Sequence, residues 1–159
     1  MRRAPFAIVA LALASALAAG PARSQTAALD AKKCRAGAQA IAKSIGGTLD
    51  ERATAAFSIE YPYKTTIDGI TYMCGEPPTL MISTYQPAVG DVLNVMVQAG
   101  AAFGRMKPDA VRKMITACIG GVDREKHKPG QSSNSKGMSL TCSAYGLKGE
   151  NGVTVTFDQ

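Results

Sequence analysis

Four cysteines, Cys34, Cys74, Cys118 and Cys142, and a single histidine, His127, carry the chemistry that this chain constrains most tightly. No two cysteines are closer than 24 residues, so no C-x-x-C pair exists to hold the low-pKa thiolate of redox catalysis. The same scattered spacing lacks the knuckles of a zinc site, and no metal is expected. An even count suits two structural disulfides instead. His127 stands between Lys126 and Lys128, whose charges disfavour its protonation and repel a metal cation. A general base needs a fixed position and an orienting partner, and this segment offers no apolar residue to fix one. With no second histidine in the chain, triads and Cys-His dyads are not expected. The tetrapeptide Ser133-Asn134-Ser135-Lys136 has the S-x-x-K spacing of serine acyl enzymes. It lies between glycines, where the helical turn that chemistry needs is not expected.

Carboxylates such as Glu60, Asp68 and Glu76 can work together only if the fold brings them together. Tryptophan is absent, so a carbohydrate platform would rest on Tyr61, Tyr63 and Tyr72. Tyrosines at this spacing on strands more commonly face a core. No glycine-rich phosphate cradle is present, and no cofactor is expected. Charge is the remaining asymmetry. Arg105, Lys107, Arg112, Lys113, Arg124, Lys126 and Lys128 outnumber Asp109, Asp123 and Glu125 in one short segment. A face built from them would suit an acidic envelope component or protein, or would serve only as a solvated surface. Nucleic acid is a poor partner here, because no aromatic residues interleave with the basic ones.

The first residues address the compartment. Arg2 and Arg3 precede an uninterrupted apolar run over residues 6–19, and Ala22-Arg23-Ser24 offers small residues at both positions a signal peptidase reads. This is the layout of a secretory signal peptide, with cleavage expected near Ser24 and a periplasmic or secreted product. The run holds 14 residues, fewer than the roughly 20 that cross a hydrocarbon core, so no stable membrane anchor is expected. Residues 25–159 would then form one domain of ordinary size. Without Arg2, Arg3 and Arg23, fifteen basic side chains face twelve acidic ones, and the formal charge falls from +6 to +3.

Hydrophobic periodicity supplies the elements. Residues 30–45 read as a helix with Asp30 as N-cap, placing Cys34, Ala38, Ile41 and Ile45 on one face. Residues 57–67 alternate strictly, Asp68-Gly69 offers a type I′ turn, and a second strand follows through Cys74. That turn would set Ile67 opposite Ile70, Thr65 opposite Tyr72 and Tyr63 opposite Cys74. Residues 79–85 give a third strand. Residues 91–106 are apolar on nearly every side, a helix buried on most of its surface that Asp91 would cap, with Gly100 and Gly104 closely packed. Pro108 and Asp109 open a further helix, with Val111, Met114, Ile115, Cys118 and Ile119 on one face. Residues 120–137 read as a long mobile loop. The chain closes with two strands whose longer loop would set Leu147 opposite Val153 and Tyr145 opposite Val155, with a bulge nearby.

The order α-β-β-β-α-α-β-β predicts an α+β fold: one antiparallel sheet of about five strands with three helices on one face. Nearest-in-chain pairing favours Cys34–Cys74 and Cys118–Cys142, which would bolt helices to the sheet. Chain entropy assigns such loops about 4 and 3.5 kcal/mol. The expectation is a small exported binding or interaction domain without catalysis. An envelope accessory role for the basic helix and loop, or a carboxylate-based hydrolase, are the alternatives.

Overall fold

The structure is a computed structural model that describes residues 21–50, 56–61, 66–134, 137–146 and 151–159, with the side chains of the first helix described from residue 31. Among the described residues three helices, α1 (Pro21–Ser44), α2 (Gly90–Gly104) and α3 (Pro108–Gly120), accompany seven strands. The strands are β1 (Thr48–Leu49), β2 (Ala56–Glu60), β3 (Ile67–Met73), β4 (Thr79–Thr84), β5 (Gly130–Ser133), β6 (Ser139–Tyr145) and β7 (Gly152–Asp158). All pair antiparallel in the order β1-β2-β3-β4-β7-β6-β5. The class is α+β, as the sequence predicts, but the sheet has seven strands rather than about five. The two additional ones, β1 and β5, are the short edge strands.

One face of the sheet is apolar. Tyr72, Leu80, Phe157 and Leu140 stand in register across β3, β4, β7 and β6, and Ile70, Ile82, Val155 and Cys142 form the adjacent row. All eight are buried. The three helices meet these rows: Gly37 of α1 lies against the Tyr72 ring, Gly100 of α2 against Phe157, and Cys118 of α3 beside Cys142. Gly104 likewise receives Met138, so the spaced glycines of α2 serve close packing as expected. α2 lies between α1 and α3, which explains its apolar character all round. Cys34 and Cys74 also stand at disulfide distance, with Cα atoms 5.6 Å apart, and Cys118 and Cys142 at 5.7 Å. The geometry matches the pairing expected from the sequence.

The opposite face carries hydroxyls. Its rows are Thr71, Met81, Thr156 and Thr141, then Met73, Thr79, Asp158 and Ser139, then Gly69, Ser83, Thr154 and Ser143. Ser83 and Thr154 hydrogen bond at 2.9 Å, and the Thr79 hydroxyl donates to Asp158 at 3.0 Å. An antiparallel sheet with one solvated face takes this alternation.

Several local expectations are corrected. Residue 30 is not a helix start, since α1 begins at Pro21; the intervening residues include no glycine or proline to stop it. Asp91 sits in the first turn of α2, and the N-cap is Val89, without a side-chain hydrogen bond. Asp68-Gly69 is not a turn: it lies inside β3, where the register with β4 shifts, and β2 pairs β3 as Phe57↔Tyr72 and Ser58↔Thr71. The slip from the expected pairing is an even number of residues. Phe57, Ile59, Ile70 and Tyr72 therefore keep the buried face they were assigned. Pro62, Tyr63 and Thr65 lie outside the described residues.

The final hairpin pairs Tyr145↔Gly152, Ala144↔Val153 and Cys142↔Val155 without interruption, so the expected register and bulge are both replaced. This alignment puts Cys142 rather than Tyr145 on the core face, where Val155 and Phe157 already stand. Leu147 lies outside the described residues. The described part of the expected loop, residues 120–134, is not slack. It forms a turn closed by an Asp123↔Lys128 bridge and then β5, whose Gly130 packs on the Cys118 carbonyl. The apolar pattern missed β5 because its residues, Gly-Gln-Ser-Ser, contribute no side chain to the core.

Candidate functional site at the tyrosine end of the sheet

Gly152 opens β7 between the ends of β4 and β6. Tyr145 pairs with it directly, and Tyr85 follows Thr84, the partner of Val153. A side chain at 152 would meet the Thr84 carbonyl and would stand 2.9 Å from both the Tyr145 carbonyl and the Tyr85 Cα. Only glycine fits, and the rings of the two tyrosines that flank it on β6 and at the end of β4 approach to 5.5 Å at a tilt of 39°. Aromatic side chains in contact across neighbouring strands brace one another. Asp68 enters from the irregular start of β3, on the other side of β4. The Tyr145 hydroxyl donates to its Oδ2, and the Tyr85 side chain also hydrogen bonds to it. Residues from three strands thus converge on one carboxylate.

The titration behaviour follows from those bonds. The Tyr145 and Tyr85 hydrogen bonds hold Asp68 below the usual carboxylate range. The same bond to Asp68 pushes the Tyr145 phenol well above the usual tyrosine range, with burial adding to it. Hydrogen bonds to the charged form of an acid favour that form. Because the folded value of Asp68 is lowered, its contribution to stability is present above the ordinary carboxylate range and lost as pH falls through the lowered value. Tyr145 contributes below the ordinary tyrosine range and loses that contribution as pH rises through its raised value. Tyr145→Phe is therefore expected to move the Asp68 midpoint upward in a carboxyl NMR titration. An unmoved midpoint would refute the assigned bond.

Beside Asp68 the sheet surface is hollow. A trough of about 380 Å³ is lined by Ser58, Glu60, Tyr61, Asp68, Gly69 and Tyr85 together with Ile59, Ile67 and Ile70. Gly69 is the notable floor: a Cβ placed there meets nothing within 4 Å. A second concavity of about 670 Å³ shares Tyr61 and Ile67 with the trough and continues between α1 and α2 past Ser44, Asp91, Asn94 and Gln98. No lysine, arginine or histidine among the described residues lines either one.

The fold thus unites two of the carboxylates singled out in the sequence, Glu60 and Asp68. Glu76 lies beyond the other end of β3. Of the tyrosines, Tyr61 lines the trough, while Tyr72 is in the core, edge-on to Phe103 with ring centroids 6.1 Å apart. Tyr85 and Tyr145 were missed. They are far apart in sequence, and a β6–β7 alignment placing Tyr145 opposite Gly152 would have been the signal. His127 is exposed at the tip of its turn, and Ser133 lies on a strand, with Lys136 outside the described residues.

The basic residues do not converge on one point. Arg105 and Lys107 flank the α2–α3 junction, Arg112 and Lys113 lie on α3, and Arg124, Lys126 and Lys128 lie in the turn after it. A helix of α3's 13 residues is about 20 Å long. Arg112 donates to Asn94 Oδ1 at 2.7 Å, and Arg124 donates to the Asn151 and Gly152 carbonyls at 3.0 and 2.9 Å. Lys126 pairs with Asp123 at 3.7 Å. Arg105, Lys107, Lys113 and Lys128 are exposed. Among the described residues no helix is long and apolar enough to cross a membrane, and no cluster of three His, Cys, Asp or Glu stands at metal-binding range. Comparison of the chain with models of known families, with curated proteins and with solved structures finds no match in any of the three.

Proposed function

We propose that this protein is a small exported domain that binds its ligand in the trough between Glu60 and Tyr85 and performs no catalysis of its own. The observation that carries this reading is the construction of the site. An exposed carboxylate is held by two tyrosine hydroxyls whose strands close on a tightly packed glycine, next to a hollow that a second, unobstructed glycine lines. Binding sites are concave and largely preformed, with a few convergent polar groups. Export is supported by the leader pattern of residues 1–24 and by two cysteine pairs at disulfide distance. The basic strip along α3 is a weaker candidate, because Arg112, Arg124 and Lys126 already have partners within the chain.

Gly69→Leu tests the reading with little structural disturbance, since a side chain there enters open space. Residues 25–159 would be titrated with a library of small metabolites, sugars and short peptides while backbone amide shifts are followed. Shifts confined to Glu60, Asp68, Gly69 and Tyr85, abolished by Gly69→Leu at unchanged thermal midpoint, are expected. Chemical turnover of a bound compound would instead favour a hydrolase using Glu60 and Asp68. Shifts unaffected by Gly69→Leu would refute the trough as the site.

A further inference from the structure

We propose that the trough recognises an organic cation, an alkylammonium or guanidinium group seated between Glu60, Asp68 and the face of Tyr85. The inference rests on the binding reading above and adds the chemistry of the ligand. Its first support is the lining. Glu60 and Asp68 supply two carboxylates to the trough and Asp91 a third to the adjoining hollow, with no basic residue on either wall among the described residues. The exported domain as a whole has the opposite sign, for residues 25–159 carry a formal charge of +3. A local negative concavity in a basic protein is a recognition feature of the site and not a consequence of net charge.

The second support is aromatic. Tyr61 and Tyr85 both border the hollow. A cation within about 6 Å of a ring centroid is attracted by the ring's quadrupole. Tyr85 is backed by Tyr145 and tied through its side chain to Asp68, so its ring is positioned before any ligand arrives. Such preorganisation lowers the entropic cost of binding. Two phenolic donors occupy part of the acceptor capacity of Asp68, and a carboxylate offers about four lone-pair sites in all. The remaining sites need donors, and ammonium and guanidinium groups bring donors and no acceptors.

The third support is the penalty for the alternative. A neutral polyol filling the trough would replace water on Glu60 and Asp68 with hydroxyl donors but bring no charge, and hydrogen bonds in which both partners are charged are the stronger ones. A cation that covers the same surface supplies a positive charge shared between the two carboxylates as well as donors to them. The floor at Gly69 admits the bulk of such a head group, since nothing lies within 4 Å of the position a Cβ would take.

The test uses charged probes and their neutral isosteres. Choline is compared with 3,3-dimethylbutanol, and argininamide with citrullinamide, by amide-shift titration of residues 25–159. A capped Gly-Arg-Gly peptide and its citrulline counterpart form a third pair, so that a free small cation and a peptide side chain are distinguished as sources. At least one cation is expected to move the Glu60, Asp68, Gly69 and Tyr85 amides, with its neutral isostere weaker by about tenfold or more. Asp68→Asn should weaken that cation roughly fivefold in a protein that is still folded at the titration temperature, with its thermal midpoint lowered by loss of the charged acceptor of the Tyr145 hydroxyl. Raising the salt from about 0.1 M to 1 M, which contracts the Debye length from about 10 Å to 3 Å, should weaken it as well.

Equal binding of a cation and its isostere in the trough, lost in Gly69→Leu, would overturn the charge inference and leave the binding site standing. Shifts from every probe that lie elsewhere or survive Gly69→Leu would overturn both. An absence of binding by all three cations at millimolar concentration would overturn the charge inference, and the broader library then decides the binding reading by itself.

Discussion

Replacing Cys118 and Cys142 together by alanine is expected to destabilise the folded protein by about 3.5 kcal/mol or more. A link across a sequence separation of 24 closes a 25-residue loop, and the chain-entropy relation gives about 3.5 kcal/mol for that closure. Both cysteines are fully buried, so alanine also leaves unfilled space in a close-packed region. The position matters beyond the loop length. Cys142 lies in the row of Ile70, Ile82 and Val155, at the centre of the apolar face, and Cys118 belongs to the buried face of α3. Gly130 packs directly on the Cys118 carbonyl, so edge strand β5 depends on the same joint. Domains of this size have a net stability of about 5–15 kcal/mol, and the loss is a large share of it. Urea unfolding of the variant and the parent, with the midpoint difference multiplied by the common slope, measures it. Equal midpoints would show that no covalent link contributes to the fold.

The second large effect is expected at Gly152. Gly152→Ala should cost about 1–3 kcal/mol, the range for forcing atoms into packed space, and should also dissolve the tyrosine site. The obstacles around the new Cβ are backbone atoms of β4 and β6, including the Thr84 carbonyl, and backbone cannot rotate away as a side chain can. Relief would require β7 to draw back from both neighbours at the end where Tyr85 and Tyr145 meet. Two readouts should therefore change together: the thermal midpoint falls, and the Asp68 carboxyl titration moves up toward its ordinary range as its phenolic donors separate. Gly69→Ala is the contrasting variant, with open space around the new methyl and no such cost expected. A Gly152→Ala protein with parental midpoint and Asp68 titration would mean that the tyrosine pair does not depend on the glycine.

The carboxylate half of the site was partly legible in sequence. Glu60 and Asp68 were identifiable as acids on strand-forming segments, though their meeting was not. Asp68-Gly69 has the composition of a hairpin turn, and that resemblance drew the expected turn onto it. The chain uses the pair as an irregularity within β3, which leaves Asp68 exposed and Gly69 as bare floor. A bulge and a turn favour similar residues because both need backbone freedom.

Alternation of apolar and polar residues is a local property, and it was sufficient to place Phe57 and Ile59 on one face, while the expected turn, though misplaced, put Ile70 and Tyr72 on the same face. Helical periodicity did the same for Cys34, Ala38 and Ile41 on α1 and for Val111, Met114, Ile115 and Cys118 on α3. The sequence by itself thus determined the class, the three helices and the core faces, while four cysteines left three connectivities open and the tertiary structure selected the favoured one. Only the tertiary structure decided how far the strands slide along one another, and that β7 inserts between β4 and β6. Register depends on contacts between segments distant in the chain, and any even slip preserves the same pattern of faces. The meeting of Asp68, Tyr85 and Tyr145 is set by that sliding, and for this reason the site could not be read from any one segment.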